Sequence, residues 1–176
     1  KNFEIIGLIG KYKDLGKNVL GYPVIGTDDD LSSLRSKVDN AVIGIGQIKN
    51  FEPRYKAYEL LKFNNYTIPN IISNNAYVSP SALVNEGSTV GHQAIINART
   101  SIGKCCILNS KSLVEHGCSI GDFCHISTGV LINGDVEIGN NCFIGSGTII
   151  REGVSIPSNS VISAGKCIMG WPIEQN

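Results

Sequence analysis

The chain has 176 residues, and its fifteen basic side chains balance fifteen acidic ones. It therefore lacks the basic excess of a nucleic-acid-binding surface. Hydrophobic residues make up 42% of it, yet no apolar run reaches the length of a membrane span, and residues 1–10 do not show the ordered segments of a signal peptide. Neither nucleic acid nor a membrane is an expected partner. Six cysteines are present. Cys105 and Cys106 are adjacent and no CxxC pair occurs, so neither a disulfide framework nor a zinc site is indicated. A reducing cytoplasm is the expected compartment.

Taken in chain order, residues 3–9 and 41–45 are aliphatic runs of strand length. Residues 31–38 and 54–63 predict helices. Asp28, Asp29 and Asp30 precede the first of these, where carboxylates meet unpaired backbone amides. Residues 64–72 return to an extended segment. Strand alternating with helix predicts a small parallel α/β domain over residues 1–73, with a boundary near residues 73–75 and a second domain over 74–176. No GxGxxG follows a strand, and the glycines at 7–10 and 44–46 are too sparse for a phosphate-binding loop.

A strict repeat begins at Val78. Every sixth residue from there to Ile168 is aliphatic, sixteen positions without a break in phase. A period of six is neither 3.6 nor 3.5, so helix and coiled coil are excluded. It is the signature of a hexapeptide β-helix. Four residues after each aliphatic stands a small side chain, from Ala82 and Ser88 through Val154 and Ser160. The corners of a tight prism have room for little else. Cys106, Cys118, Cys124 and Cys142 fall in this class and read as small buried residues. Directly after the aliphatic stands Gly at 91, 103, 121, 139 and 145, or Asn at 85, 97, 109 and 133. These are the residues that best tolerate left-handed backbone, which predicts turns at that position. Three hexads make one coil, so residues 18 apart stack, and each coil buries its aliphatics only against its neighbours.

All three histidines, His92, His116 and His125, lie within the repeat. Imidazole is the side chain suited to taking a proton near neutral pH. His116 and His125 are nine residues apart, half a coil, and so are predicted on different sides of one prism. They can share a site only where two prisms meet, which predicts an oligomer. Gly134 lies 18 beyond His116 and is predicted to stack beneath it. Its missing side chain leaves a backbone amide open as a donor for developing negative charge. His92 has no partner at a matching offset and reads as structural or exposed.

The run from Val78 to Ile168, with EHGCSIGDFCHIS at residues 115–127, and GYPVIGTDDDL at residues 21–31 resemble the bacterial sugar O- and N-acetyltransferases of the NeuD/PglD-like (sialic acid O-acetyltransferase) kind. The similarity runs over nearly the whole chain. It implies a left-handed parallel β-helix preceded by a small α/β Rossmann-like domain that binds a sugar nucleotide, here without the family's N-terminal nucleotide loop, whether by truncation or by true absence. It also implies a homotrimer with acetyl-CoA sites between neighbouring β-helices, no metal, and direct acetyl transfer to a surface-sugar precursor. By the same resemblance His116 is the general base and His125 lies near the acetyl-CoA carbonyl. The Gly134 amide meets the thioester oxygen. Asn109 and Glu115 fall at the acceptor, and Glu152 falls where pantetheine runs along the coils. Many members of that family carry an acidic residue directly after the base, and here it is Gly117. Their GxPAK-like signature near the C-terminus is partly present as Gly170-Trp171-Pro172-Ile173. Two other readings of the fold are a non-catalytic scaffold and a zinc enzyme of the γ-carbonic-anhydrase type. The latter needs three converging histidines, and the spacings of 24 and 9 provide no stacked pair.

Overall fold

The computed structural model describes residues 3–48 and 50–172. They form two compact units. One holds the described residues up to Ala41 together with residues 59–67, and the other holds residues 42–58 and those from Ile68 onward. The division is thus threaded through the chain, where a single cut near residue 73 was expected. Ile173 of the C-terminal signature lies outside the described residues.

The second unit is a left-handed parallel β-helix of two-residue strands in three sheets of six, six and five strands. Partners are 18 residues apart, as in Ile107 with His125 and Leu113 with Leu131. The second residue of each strand points inward. Ile96, Ile102, Ile126, Ile132, Ile144 and Ile150 are all fully buried, each burial contributing roughly 1.5–3 kcal/mol. The first rung is Ile71–Ile72, paired with Thr89–Val90. Ile72 is one hexad before Val78, so the repeat starts earlier than its clear phase in the sequence.

The outward residues differ from face to face. On the first face they are Ile71, Thr89, Ile107, His125, Phe143 and Val161. On the second they run Tyr77, Ile95, Leu113, Leu131, Ile149 and Cys167. On the third they run Leu83, Ser101, Ser119, Glu137 and Ser155. The second face leaves an apolar ladder open, with Tyr77 54%, Ile95 38%, Leu131 38% and Ile149 41% exposed.

The small residues at the corners are selected for chemistry as well as size. Ser88 Oγ donates to Gly103 O at 2.8 Å and Thr100 Oγ1 to Glu115 O at 2.8 Å. Cys106, Cys118 and Cys124 donate through Sγ to the carbonyls of Gly121, Asn133 and Gly139, at 3.1, 3.1 and 3.0 Å. Each donor caps a carbonyl of the next coil, which would otherwise be buried unpaired. Burial pushes the Cys105 thiol up to about 11. Cys124 and Cys142 are also raised, first by the hydrogen bond from a neighbouring thiol in their column. The reactive form of cysteine is the thiolate. Iodoacetamide on the native protein is therefore expected to add one group, at exposed Cys167, read as a single mass increment that maps to that residue. Modification of the buried column without unfolding would contradict this.

The turns correct one expectation. Left-handed backbone does not occur directly after the aliphatic. It occurs two residues later, as at Gln93, Arg99 and Cys105, with φ of 59°, 59° and 52°. The glycines directly after the aliphatic serve close approach instead. A Cβ on Gly121 would stand 2.7 Å from Asn140 N and 2.7 Å from Gly139 C, and backbone in the next coil cannot yield. Gly129 has φ +67° and nothing within 4 Å. Gly121→Ala is expected to cost about 3 kcal/mol, the upper end for overpacking, and Gly129→Ala only about 1 kcal/mol of left-handed strain. Urea midpoints measure both, and equal losses would return the Gly121 position to a conformational role.

In the first unit, the strand Tyr22–Gly26 pairs parallel with Leu8–Ile9 and antiparallel with Asn18–Val19. The sheet is therefore mixed, because Leu20 and Gly21 take positive φ and fold a hairpin. Asp28–Asp30 form a 3₁₀ turn capped reciprocally with Thr27. The Thr27 backbone and hydroxyl hold the Asp30 carboxyl below its usual range. The helix that follows is short, Leu31–Leu34. The second helix, Glu52–Phe63, starts two residues before its predicted limit and is divided between the units. The strand predicted over 41–45 is not formed. Buried Arg54 takes the carbonyls of Ile43 and Ile45 at 3.1 and 2.6 Å and that of Cys105 at 3.1 Å. A guanidinium thus satisfies acceptors that a strand partner was expected to meet.

Candidate active site

His116 sits in the turn between Leu113–Val114 of the second face and Ser119–Ile120 of the third, and it is exposed. Gly134 stacks beneath it, as the 18-residue spacing predicts. A Cβ at residue 134 would stand 2.7 Å from His116 Cε1, 3.0 Å from Nε2 and 3.3 Å from Nδ1. The space left by the glycine is therefore filled by the imidazole itself, where an open approach for a ligand was expected. The Gly134 N–H still has no acceptor among the described residues. The N–H groups of Ala98, His116 and Glu152, stacked in the same column, are likewise unbonded among the described residues, whereas those of Lys104, Asp122 and Asn140 at the next corner are bonded to side chains of the next coil at 2.7, 2.8 and 2.9 Å. Gly134 thus offers one unspent donor beside one free imidazole.

The other candidate residues are less free. Glu115 Oε2 accepts from Asn97 Nδ2 at 2.8 Å, so its carboxylate is tied into a ladder between coils. Asn109 Oδ1 accepts from Ser110 N at 2.8 Å and shapes its own turn. His92 Nδ1 is 2.7 Å from Ser73 Oγ. Asn109, His92 and Ser73 line a groove of about 280 Å³ with Ile71 and Ile107, and Glu115 lies outside it. Glu152 is exposed, one coil beyond Gly134. Among the described residues no group of three or more His, Cys, Asp or Glu is arranged to hold a metal ion, and no helix is long and apolar enough to cross a membrane.

His125 lies apart from His116, on the first face and buried. Its ring meets Phe143 edge-on, with centroids 5.2 Å apart. Its Nδ1 is hydrogen-bonded to the carbonyl of Gln47. A carbonyl only accepts, so Nδ1 carries the proton. Burial pushes the imidazole pKa down, the Gln47 carbonyl opposes that, and the Arg54 charge adds to the fall. The ring is therefore neutral, with Nε2 a bare acceptor that has no partner among the described residues. In this tautomer it cannot donate to an oxyanion. It can receive an N–H or O–H. Gln47 is 78 residues from His125 and outside the repeat, so nothing in the spacing points to it.

A family model for the hexapeptide repeat of succinyl-transferase matches residues 99–133 and 135–169. That match, with the stacked coils and the imidazole-bearing turn, defines the class, a hexapeptide-repeat β-helix of the acyltransferase kind. No curated protein matches the sequence. Solved structures do. A variant of perosamine N-acetyltransferase from Caulobacter crescentus, in complex with CoA and GDP-perosamine, is 30% identical over 87% of this chain and 72% of its own, with a TM-score of 0.83. The acetyltransferase domain of PglB from Neisseria gonorrhoeae, in complex with acetyl coenzyme A, is 30% identical over 90% of this chain and 77% of its own, with a TM-score of 0.81. WeeI from Acinetobacter baumannii is 26% identical over 91% and 81%, with a TM-score of 0.70. The chain belongs to the bacterial sugar acetyltransferases built on hexapeptide repeats.

Proposed function

We propose that this protein transfers the acetyl group of acetyl-CoA to an amine of a nucleotide-linked sugar. The observation that carries the reading is the free imidazole of His116 seated on Gly134, whose N–H is unspent. The similar perosamine N-acetyltransferase, crystallised with CoA and GDP-perosamine, favours an amine over a hydroxyl. The acceptor nitrogen attacks the thioester carbonyl while His116 takes its proton. The Gly134 N–H stabilises the oxyanion. Collapse of the tetrahedral intermediate breaks the C–S bond, and the proton passes from the imidazolium to the CoA sulfur. His125, buried with its Nε2 closed off from solvent, takes no part in holding the oxyanion. No cysteine takes part in the transfer.

The faces of the prism support a trimer. The third face is polar, while the second exposes its apolar ladder. An exposed apolar strip of this extent marks an interaction surface. A second copy of the same chain is the occupant, because copies related by a threefold axis cover this face in every prism and leave the polar third face to water. The His116 turn leads directly off the second face, and so stands at the rim of that contact, within reach of a neighbour.

The test is release of CoA thiol from acetyl-CoA on addition of GDP-, UDP- or CMP-linked amino sugars and their hydroxyl counterparts. Release is expected with an amine acceptor. Release with hydroxyl sugars alone would make the protein an O-acetyltransferase, and none with any acceptor would refute the reading.

A further inference from the structure

An imidazole acting as a base works best when its other nitrogen is held by an acceptor. That bond fixes the tautomer and stabilises the imidazolium as it forms. The residue after His116 is a glycine and supplies nothing. The carboxylate of Glu115, before it, is committed to Asn97. The next coil offers another. Asp135 is 18 residues beyond Gly117, and its N–H donates to His116 O at 2.9 Å. Its Oδ1 stands 2.1 Å from where a Cβ on residue 117 would be. The carboxylate therefore occupies the space that glycine leaves, against the backbone of the residue that follows the base. Nδ1 is the ring nitrogen closer to the main chain in any histidine. The adjoining Gly134 is the floor on which the same ring lies. One dipeptide, Gly134-Asp135, thus carries both the floor and an acceptor at its edge.

We propose that Asp135 is the positioning residue of His116. When the ring turns its Nδ1–H onto this carboxylate, the Nε2 lone pair is presented to the acceptor. Gly117 is then a requirement of the site, since any side chain there would displace the carboxylate. The inference rests on His116 being the base proposed above.

Asp135→Asn is expected to lower kcat about 10- to 100-fold, the range for losing an orienting partner, with KM for acetyl-CoA nearly unchanged. The exchange of positions, Gly117→Asp with Asp135→Gly, returns a carboxylate to the ring from its own coil and is expected to recover most of kcat. Asp tolerates the left-handed φ of +70° at residue 117. A second readout needs no turnover. The ¹⁵N shifts of His116 in the unliganded protein are expected to show the Nδ1–H tautomer, and to lose that preference in Asp135→Asn. Unchanged kcat in Asp135→Asn while His116→Ala is inactive would overturn the positioning role and leave the base standing. Identical ¹⁵N shifts in the two proteins would overturn it whether or not the acceptor is known.

Discussion

Replacing His116 with alanine is expected to lower kcat by about 100-fold or more, the usual cost of losing a general base. The loss should appear in kcat and kcat/KM alike, because the imidazole acts on the proton that moves in the transition state and not on the bound thioester. Stability should change little. The ring is exposed in a turn, and the inward columns that hold the coils together do not include it. The backbone bond from Asp135 N to His116 O is kept by any residue. Thermal unfolding beside thiol-release kinetics separates the two effects. A folded variant with near-normal turnover on its best acceptor would remove His116 as the base.

The second large effect is expected from the apolar face. Leu113 and Leu131 are paired rungs of the second face, both with side chains directed outward. The double variant Leu113→Glu, Leu131→Lys places opposite charges on adjacent strands, an arrangement an isolated prism tolerates. Beneath a neighbouring copy the same charges would be buried in an apolar contact, and the desolvation cost opposes assembly. The variant is expected to keep its β-helix, run as a monomer and lose turnover. Circular dichroism, light scattering and thiol release report the three outcomes. A variant that stays trimeric would move the interface to another face.

The β-helix was legible because one force writes it. Each inward aliphatic must be replaced by another six residues on, or the prism opens to water, so the phase survives from Val78 to Ile168. The corner position was only half legible. Its small size could be read, but the carbonyls that Ser88, Thr100 and Cys106 cap lie 15 residues ahead and need the coil geometry to be seen. The glycines after the aliphatics were misread for the same reason. Composition alone does not separate a residue that must turn left from one that must let a neighbouring backbone come close. Outside the repeat the signal was weaker. The aliphatic run at 41–45 has the composition of a strand, and Arg54 eleven residues after Ile43 settles its hydrogen bonds otherwise.

The candidate site divides in the same way. His116 and Gly134 follow from an offset of 18 and are found together. Asp135 follows from the same offset applied to Gly117. The environment of His125 was not readable, because its Nδ1 partner, Gln47, comes from a segment with no repeat phase. Long-range partners of that kind are set by how non-repeating chain packs on the coil.

The most direct measurement couples size to chemistry. The unsubstituted chain is passed over a sizing column with in-line light scattering, and each fraction is assayed for thiol release from acetyl-CoA with a nucleotide-linked amino sugar. Turnover is expected to follow a species of three 18.8 kDa chains and to fall as dilution takes it apart. A monomer fraction with full turnover, or a trimer inert toward every amine offered, would contradict a catalytic cleft made by two copies.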